Sequence, residues 1–472
     1  MARSHARAAH QLSDQALSRA AGAPLIPENR VRLLKDAAEN YPAWIHAIQS
    51  AKHWIHFETY FISDDAVGHE FADALSEKVK QGVKVRLLYD WLGALGHASQ
   101  GFWRRLEETG VDVRCFNPPR LDSPLGWFSR DHRKLVVVDG RVAYVGGLCV
   151  GQLWVGDSDQ GIEPWRDTGV EIEGPALEEL ELAFADSWRA AGPPLPAEEI
   201  PPADSVEPAG DVALRIVANV PSFGGTLRLD QLFAQLARRS IWINDSYFLG
   251  TPSYVQALRT AAQSGVDVRL IVPGLTDVFL MRTLSRAGFR PLLEAGVRVF
   301  QWNGPMMHAK TAVVDGKWAR VGSTNLNLAS WLGNWEIDVV VEDSRFGQAM
   351  EGLFTGDLTR TTEIVLSRRR RRHRSAKAAH RYRKRLRGGS APRVAAGVMR
   401  LSNTVSAAMT NRRELGPAEA NVMALAALLL IAFSIVAAYW PKAVVAPVIV
   451  LCIWISLSLL VRAWKLRSKR RE

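Results

Sequence analysis

The sequence predicts two copies of one α/β domain followed by a C-terminal pair of apolar helices. Three observations carry that prediction: an order of strands and helices that recurs after about 175 residues, two segments that align without gaps, and a sharp change of composition after residue 367. A chain of 472 residues exceeds one ordinary core. A single repetition of so long a unit indicates duplication of a whole domain rather than a solenoid.

In the first copy WIHFETYF (54–61) reads as a strand, 66–81 as a helix and GVKVRLLYD (82–90) as a strand. A helix at 101–109 then leads to GVDVRCF (110–116) and to HRKLVVVDGRVAYVGG (132–147). The second copy repeats this order with SIWINDSYF (240–248), a helix at 252–264, GVDVRLIVP (265–273), a helix at 279–294, GVRVFQW (296–302) and HAKTAVVDGKWARVGS (308–323). Continuous Val, Ile and Leu runs between helices suit mostly parallel strands buried on both faces.

The expected organisation is an N-terminal tail (1–27), a first domain (28–191), a linker (192–211), a second domain (212–366), a basic segment (367–415), an apolar hairpin (420–463) and a basic tail (464–472). The linker, GPPLPAEEIPPADSVEPAGD, is rich in Pro and acid. The hairpin consists of 422–440 and 443–461, separated by Pro441-Lys442, and neither stretch contains a charge. Each would span about 28 Å as a helix, close to a hydrocarbon core of about 30 Å. A soluble core helix rarely lacks a polar face over five turns, so a transmembrane hairpin is expected. Arg412 and Arg413 precede it, six Lys/Arg follow from Arg462 to Arg471, and its turn holds only Lys442. That bias puts both flanks, and with them the body, on the cytoplasmic side of a cell membrane crossed twice.

The net charge of +11 is unevenly spread. Residues 368–387 hold 12 Lys/Arg and no acid, residues 388–472 hold 11 against 3, and 1–367 is left at −9. A nucleic-acid-binding body would carry the positive charge itself, so no nucleic acid is expected as a partner. Cys115, Cys149 and Cys452 form no C-x-x-C pair, which argues against a zinc site or disulfide framework and fits a reducing compartment. The N-terminal residues contain no apolar run long enough for a signal peptide.

The aligned segments read His132-x-Lys134-x4-Asp139-x6-Gly146-Gly147-x-Cys149 and His308-x-Lys310-x4-Asp315-x6-Gly322-Ser323-x-Asn325. One H-x-K would mean little; two at matching places in a repeat are not coincidence. Residues i and i+2 of a strand share a face, so two halves packed together would bring two His and two Lys into one cleft. Such a cleft suits a phosphodiester: one imidazole attacks phosphorus while the other protonates the leaving oxygen. The lysines, with Ser323 and Asn325, would stabilise charge on the phosphoryl oxygens, and Gly146 and Gly147 would let backbone approach the phosphate. Neither metal nor cofactor is required by this scheme. Asp139 and Asp315 belong to the motif and are carried with the catalytic residues, although the favoured reading has them accept backbone N–H bonds at strand ends. The residues alone leave open which histidine attacks.

These duplicated motifs resemble the phospholipase D superfamily. From about residue 28 to 365 the chain is similar to bacterial cardiolipin synthases in ETYF, RDHRKLVVVDG, MHAKTAVVDG, GSTNLN and the downstream NWEID. The resemblance implies two domains sharing one active site and a phosphatidyl-histidine intermediate, with His132 as nucleophile and His308 as general acid and then base. It also implies a carboxylate beyond each motif that orients an imidazole: Asp167 in the first half and Glu336 in the second. Two departures stand out. Cys149 replaces an Asn usual in the family, and the hairpin is C-terminal where an N-terminal one is familiar.

The expected function is phosphatidyl transfer on an anionic phospholipid, with phosphatidylglycerol as substrate and cardiolipin as product. Hydrolysis to phosphatidic acid uses the same residues and is the alternative. A nuclease or other phosphodiesterase is a weaker rival, against which the acidic body and the hairpin count.

Overall fold

In LVVV (135–138) and TAVV (311–314) β-branched residues follow one another without polar alternation, and both runs are strands buried along their whole length. The computed structural model describes residues 14–119, 129–202, 205–275 and 279–366, with scattered positions between 428 and 457. Fifteen strands occur among them. The first half holds β1 (Ile26–Lys35), β2 (Trp54–Thr59), β3 (Lys84–Asp90), β4 (Asp112–Phe116), β5 (Leu135–Val138), β6 (Val142–Gly146) and β7 (Thr168–Glu173). The second holds β8 (Val212–Asn219), β9 (Ser240–Asn244), β10 (Asp267–Pro273), β11 (Arg298–Trp302), β12 (Thr311–Val314), β13 (Trp318–Gly322), β14 (Glu336–Glu342) and β15 (Thr361–Ile364).

The order β1-β7-β6-β5-β2-β3-β4 in the first half is repeated as β8-β14-β13-β12-β9-β10-β11 in the second, with β15 on the outer edge. β1 joins the two sets. Its start pairs with β8, and Arg30–Lys35 pair with β7 after a register shift. β6 and β7 pack against β13 and β14, and the inward residues Val145, Val170, Val321 and Val339 meet in one core. The outward faces are covered by helices: Asp36–Ser50, Ala66–Lys80 and Gln100–Glu108 in the first half, Gly225–Leu236 and Pro252–Gln263 in the second. Several begin where the sequence supplies a cap, as at Asp65, Ser99 and Thr251.

The expectation of mostly parallel strands is corrected. Only β2-β3-β4 and β9-β10-β11 are parallel; every other pairing is antiparallel. The cause is the Asp-Gly dipeptide inside each long motif. Asp139 and Gly140 both take left-handed φ values, 54° and 59°, as do Asp315 and Gly316 at 54° and 62°. This is the backbone of a tight hairpin turn, so β5-β6 and β12-β13 are hairpins. Two other expectations also change. Part of the N-terminal tail, 14–21, is a helix whose Leu17 and Ala21 are buried in the second half's core, with Asp14 paired to the buried Arg215. The Pro-rich linker is not free of the body: its Glu199 is buried and paired with Arg86 and His56.

Beyond Leu366 the structure describes only isolated positions. Those from Leu428 to Leu457 are almost all helical and exposed, and most are large and apolar. The basic segment and most of the expected hairpin lie outside the described residues. No described helix is long and apolar enough to cross a membrane.

The turns give the motif aspartates their work. The Asp139 carboxylate accepts N–H bonds from Lys52, His53 and Trp54 at 2.7–2.8 Å. Asp315 accepts those of Arg238, Arg239 and Ser240, the nearest at 2.7–2.9 Å. Each pins its hairpin to the start of the neighbouring strand. Asp139→Ala should therefore cost about 2–4 kcal/mol of stability, from lost charge-assisted bonds and a left-handed alanine. Thermal unfolding would register that loss, while the turnover of the protein still folded stays close to wild type.

Candidate active site

His132 and His308 stand just before β5 and β12, and each is fastened by its backbone to the opposite half. The His132 N–H donates to the Trp335 carbonyl, 2.9 Å, and the His308 N–H to the Arg166 carbonyl, 2.7 Å. Trp335 and Arg166 immediately precede the two carboxylates, so these bridges carry each carboxylate to the other half's imidazole. His132 Nδ1 lies 2.9 Å from Glu336 Oε2, and His308 Nδ1 lies 2.7 Å from Asp167 Oδ2. The carboxylates expected beyond each motif are thus exchanged: neither orients the histidine of its own half.

The two carboxylates are held differently. Glu336 accepts a 2.6 Å bond from the Ser323 hydroxyl, whereas Asp167 accepts the Trp154 indole N–H at 2.9 Å. At the place equivalent to Ser323 the first half has Gly147, where an added Cβ would come 2.2 Å from Asp167 Oδ1. The aspartate can sit there only because that residue has no side chain. Gly146 likewise packs directly on β7, where a Cβ would lie 2.7 Å from the Thr168 carbonyl. Ser323, Gly146 and Gly147, expected at the phosphate, seat the carboxylates and the adjoining strand. Asn325 is buried, and its side-chain carbonyl has no hydrogen-bond partner among the described residues. Cys149, at the equivalent position, is buried too, and burial pushes its thiol pKa up against the nearby charges of Lys134 and Lys310.

Lys134 Nζ donates to the His132 carbonyl at 2.6 Å. Lys310 Nζ donates to Ser246 Oγ at 2.9 Å, lies 3.0 Å from His308 Nε2 and also bonds the His308 carbonyl. Each lysine's charge also reaches the histidine of the other half. All four groups therefore share one electrostatic environment. Asp139 and Asp315 do not join them: their carboxylates accept backbone N–H bonds in the hairpin turns.

Burial governs the charges. It pushes His308 down to about 4, helped by Lys310 and opposed by Asp167. His132 is also lowered, first by burial and further by the charge of Lys134, against the opposing pull of Glu336. Burial would raise Asp167 and Glu336, but the facing imidazoles and lysines outweigh it and hold both below the ordinary range. Lys310 is lowered to about 8, first by burial and then by the like charge of Lys134. At neutral pH the pairs are accordingly carboxylate with neutral imidazole, Nδ1–H donating and Nε2 carrying the lone pair. On His132 that nitrogen makes no hydrogen bond among the described residues. On His308 it faces the Lys310 ammonium. His132 is also slightly more exposed, 12% against 7% for its side chain.

Aromatic rings wall the site, and these the sequence reading missed. Tyr60 meets His132 edge-on at 5.0 Å, while Trp154 and Trp165 lie 5.4 and 5.6 Å from His308. Tyr247, in the place of Tyr60, is 6.3 Å from His308. The recurrence of Tyr in ETYF and DSYF was a usable signal, as was that of Trp: Trp154 lies in the short helix Gln152–Val155 and Trp331 in Leu328–Leu332, while Trp165 and Trp335 stand just before Asp167 and Glu336.

The motif described as "Cardiolipin synthase, PLD-like domain" matches residues 44–151 and 232–358. Among known proteins, cardiolipin synthase 2 of Bacillus anthracis is 33% identical over 355 residues, covering 74% of this chain and 68% of that protein. The cardiolipin synthase of Halalkalibacterium halodurans is 31% identical over 372 residues, 77% and 72% of the two chains. The crystal structure of phosphatidylserine synthase from Haemophilus influenzae Rd KW20 shares the fold at a TM-score of 0.57 and 16% identity, covering 74% of this chain and 91% of that one. With its repeated H-x-K pairs meeting at one site, this chain belongs to the cardiolipin synthase family and is an enzyme of the phospholipase D superfamily.

Proposed function

We propose that the chain is a phosphatidyltransferase of the cardiolipin synthase type, acting on phosphatidylglycerol through a phosphohistidine. The observation that carries the reading is the crossed pair of imidazoles, each with Nδ1 held by a buried carboxylate of the opposite half. His132 Nε2, with its unengaged lone pair, attacks phosphorus and forms the P–N bond as the bond to the departing glycerol oxygen breaks. His308 gives that oxygen its proton. It then takes the proton of the acceptor hydroxyl, whose oxygen attacks phosphorus and breaks the P–N bond. Glu336 and Asp167 hold the rings and stabilise the imidazolium forms. A bound phosphodiester brings negative charge beside His308 and so favours the protonated state needed for the first step. Lys134 and Lys310 supply positive charge for the phosphoryl oxygens.

The substrate lies in a membrane, and the C-terminal residues fit that setting. Exposed apolar side chains such as Leu428, Ile431, Ile435, Ile449 and Ile453 on helical residues support a transmembrane hairpin at 422–440 and 443–461. The charge bias supports a cytoplasmic body. The basic run 368–387 would lie against anionic lipid, gaining about 1 kcal/mol per Lys/Arg close to the surface.

Incubating the purified protein with phosphatidylglycerol and separating the lipids tests the reading directly. Cardiolipin is the expected product, phosphatidic acid would indicate hydrolysis instead, and an unchanged lipid would overturn both. His132→Ala and His308→Ala should each lower turnover by about 10^4-fold or more, and the double variant should be little worse, because the two act as one unit. A pH–rate profile should show an alkaline fall as Lys310, charged below about 8 and neutral above it, loses its proton; Lys310→Arg should remove that limb. A chain ending at residue 367 should turn over dispersed short-chain substrate yet be about tenfold slower on anionic vesicles. High salt should slow a chain ending at residue 390 toward the same rate.

A further inference from the structure

Large apolar side chains are seldom exposed on the body 14–364. Among its described residues one is Leu182, on the helix Ala176–Ala191. The others are Leu92, Leu95, Leu153, Val155, Ile162 and Leu275, each between 39% and 61% exposed. Singly scattered leucines would need no explanation, but five of these six lie in segments tied to the site, and Leu275 holds in the second half the place of Leu92 in the first. Leu92 and Leu95 follow β3, whose last residue, Asp90, accepts the N–H groups of Leu92 and of Asp131, the neighbour of His132. His97 of the same loop stacks on Phe61 at 3.9 Å, and Phe61 lies 5.7 Å from Trp154. Leu153 and Val155 flank Trp154, the ring against His308. Ile162 bridges to Asp157 in that loop, three residues before Trp165. Leu275 stands two residues beyond the end of β10, as Leu92 stands two beyond β3.

The geometry points to the rim of the site as a lipid-contacting surface in its own right, whose leucines and isoleucine enter the boundary between headgroups and acyl chains of the bilayer. This rests on the reading that the substrate is a bilayer phospholipid. The rim surrounds the place where the phosphodiester must arrive, so seating it in the boundary brings headgroups to the imidazoles without lifting a lipid into water. Charge does not drive the contact: the same loop carries Asp157, Asp159 and Glu163. It is therefore apolar and insensitive to salt, unlike attraction by the basic run.

A fluorophore sensitive to lipid, attached to Leu95→Cys, Ile162→Cys or Leu275→Cys in the full chain with Cys452→Ser, tests the insertion. Vesicles of phosphatidylglycerol with brominated acyl chains should quench all three at low and high salt, and should not quench a label at Leu182→Cys. Absence of quenching at the rim, or equal quenching at 182, overturns the proposal. In parallel, the double variant Leu95→Asp, Ile162→Asp should keep its rate on dispersed short-chain phosphatidylglycerol within about twofold while its apparent KM on vesicles rises about tenfold. An unchanged KM on vesicles also overturns the proposal. Should wild type convert no phosphatidylglycerol at all, the functional reading fails, and the quenching result still decides whether the rim meets lipid.

Discussion

Everything at the centre of this molecule depends on two short contacts between imidazole and carboxylate that cross from one half of the chain to the other. A buried carboxylate is stable only with a partner, and the partner each one finds is the other half's histidine. The backbone bridges at Trp335 and Arg166, the strand β1 shared by both sets, and the interleaved valines between the sheets all keep those two contacts in register. The exchange also explains why residues far apart in sequence behave as one electrostatic unit, with Lys134 and Lys310 each felt by both imidazoles.

Duplication has not left the halves equivalent. The first half seats its aspartate against a glycine and steadies it from an indole, whereas the second seats a longer glutamate and steadies it from a hydroxyl. Both lysines bond the carbonyl of their motif's histidine, but Lys310 also lies against His308 Nε2 and donates to Ser246. Among the described residues one imidazole is left with an open lone pair and the other has its lone pair beside an ammonium. The difference suits the proposed two-step transfer, in which one imidazole bonds phosphorus while its partner handles protons.

Much of this was legible in the residues. The repeated H-x-K segments located both histidines and both lysines, and the positions of Asp167 and Glu336 beyond them were readable through the family resemblance. Their crossing was not, since it depends on how the halves pack rather than on any spacing within one of them. The strand direction was misjudged because the Asp-Gly turn lay inside what read as one continuous apolar run. Ser323 and Gly147 were assigned to phosphate because a hydroxyl and a glycine beside a basic motif suggest it. Their part in fitting carboxylates of two lengths appears only when the equivalent positions are compared in space. The helix at 14–21 escaped notice because two buried residues one turn apart make too faint a pattern amid polar neighbours.

The crossing has a consequence for how the protein comes into being. As the chain leaves the ribosome, His132 emerges some two hundred residues ahead of Glu336, and β1 is made long before β8, its partner on the other side. Throughout that interval the first half's histidine has no carboxylate to hold the ring or fix the proton, and β6 and β7 lack the strands that pack against them. Catalytic competence therefore arrives late in synthesis and all at once, so a ribosome stalled midway would release an inert half.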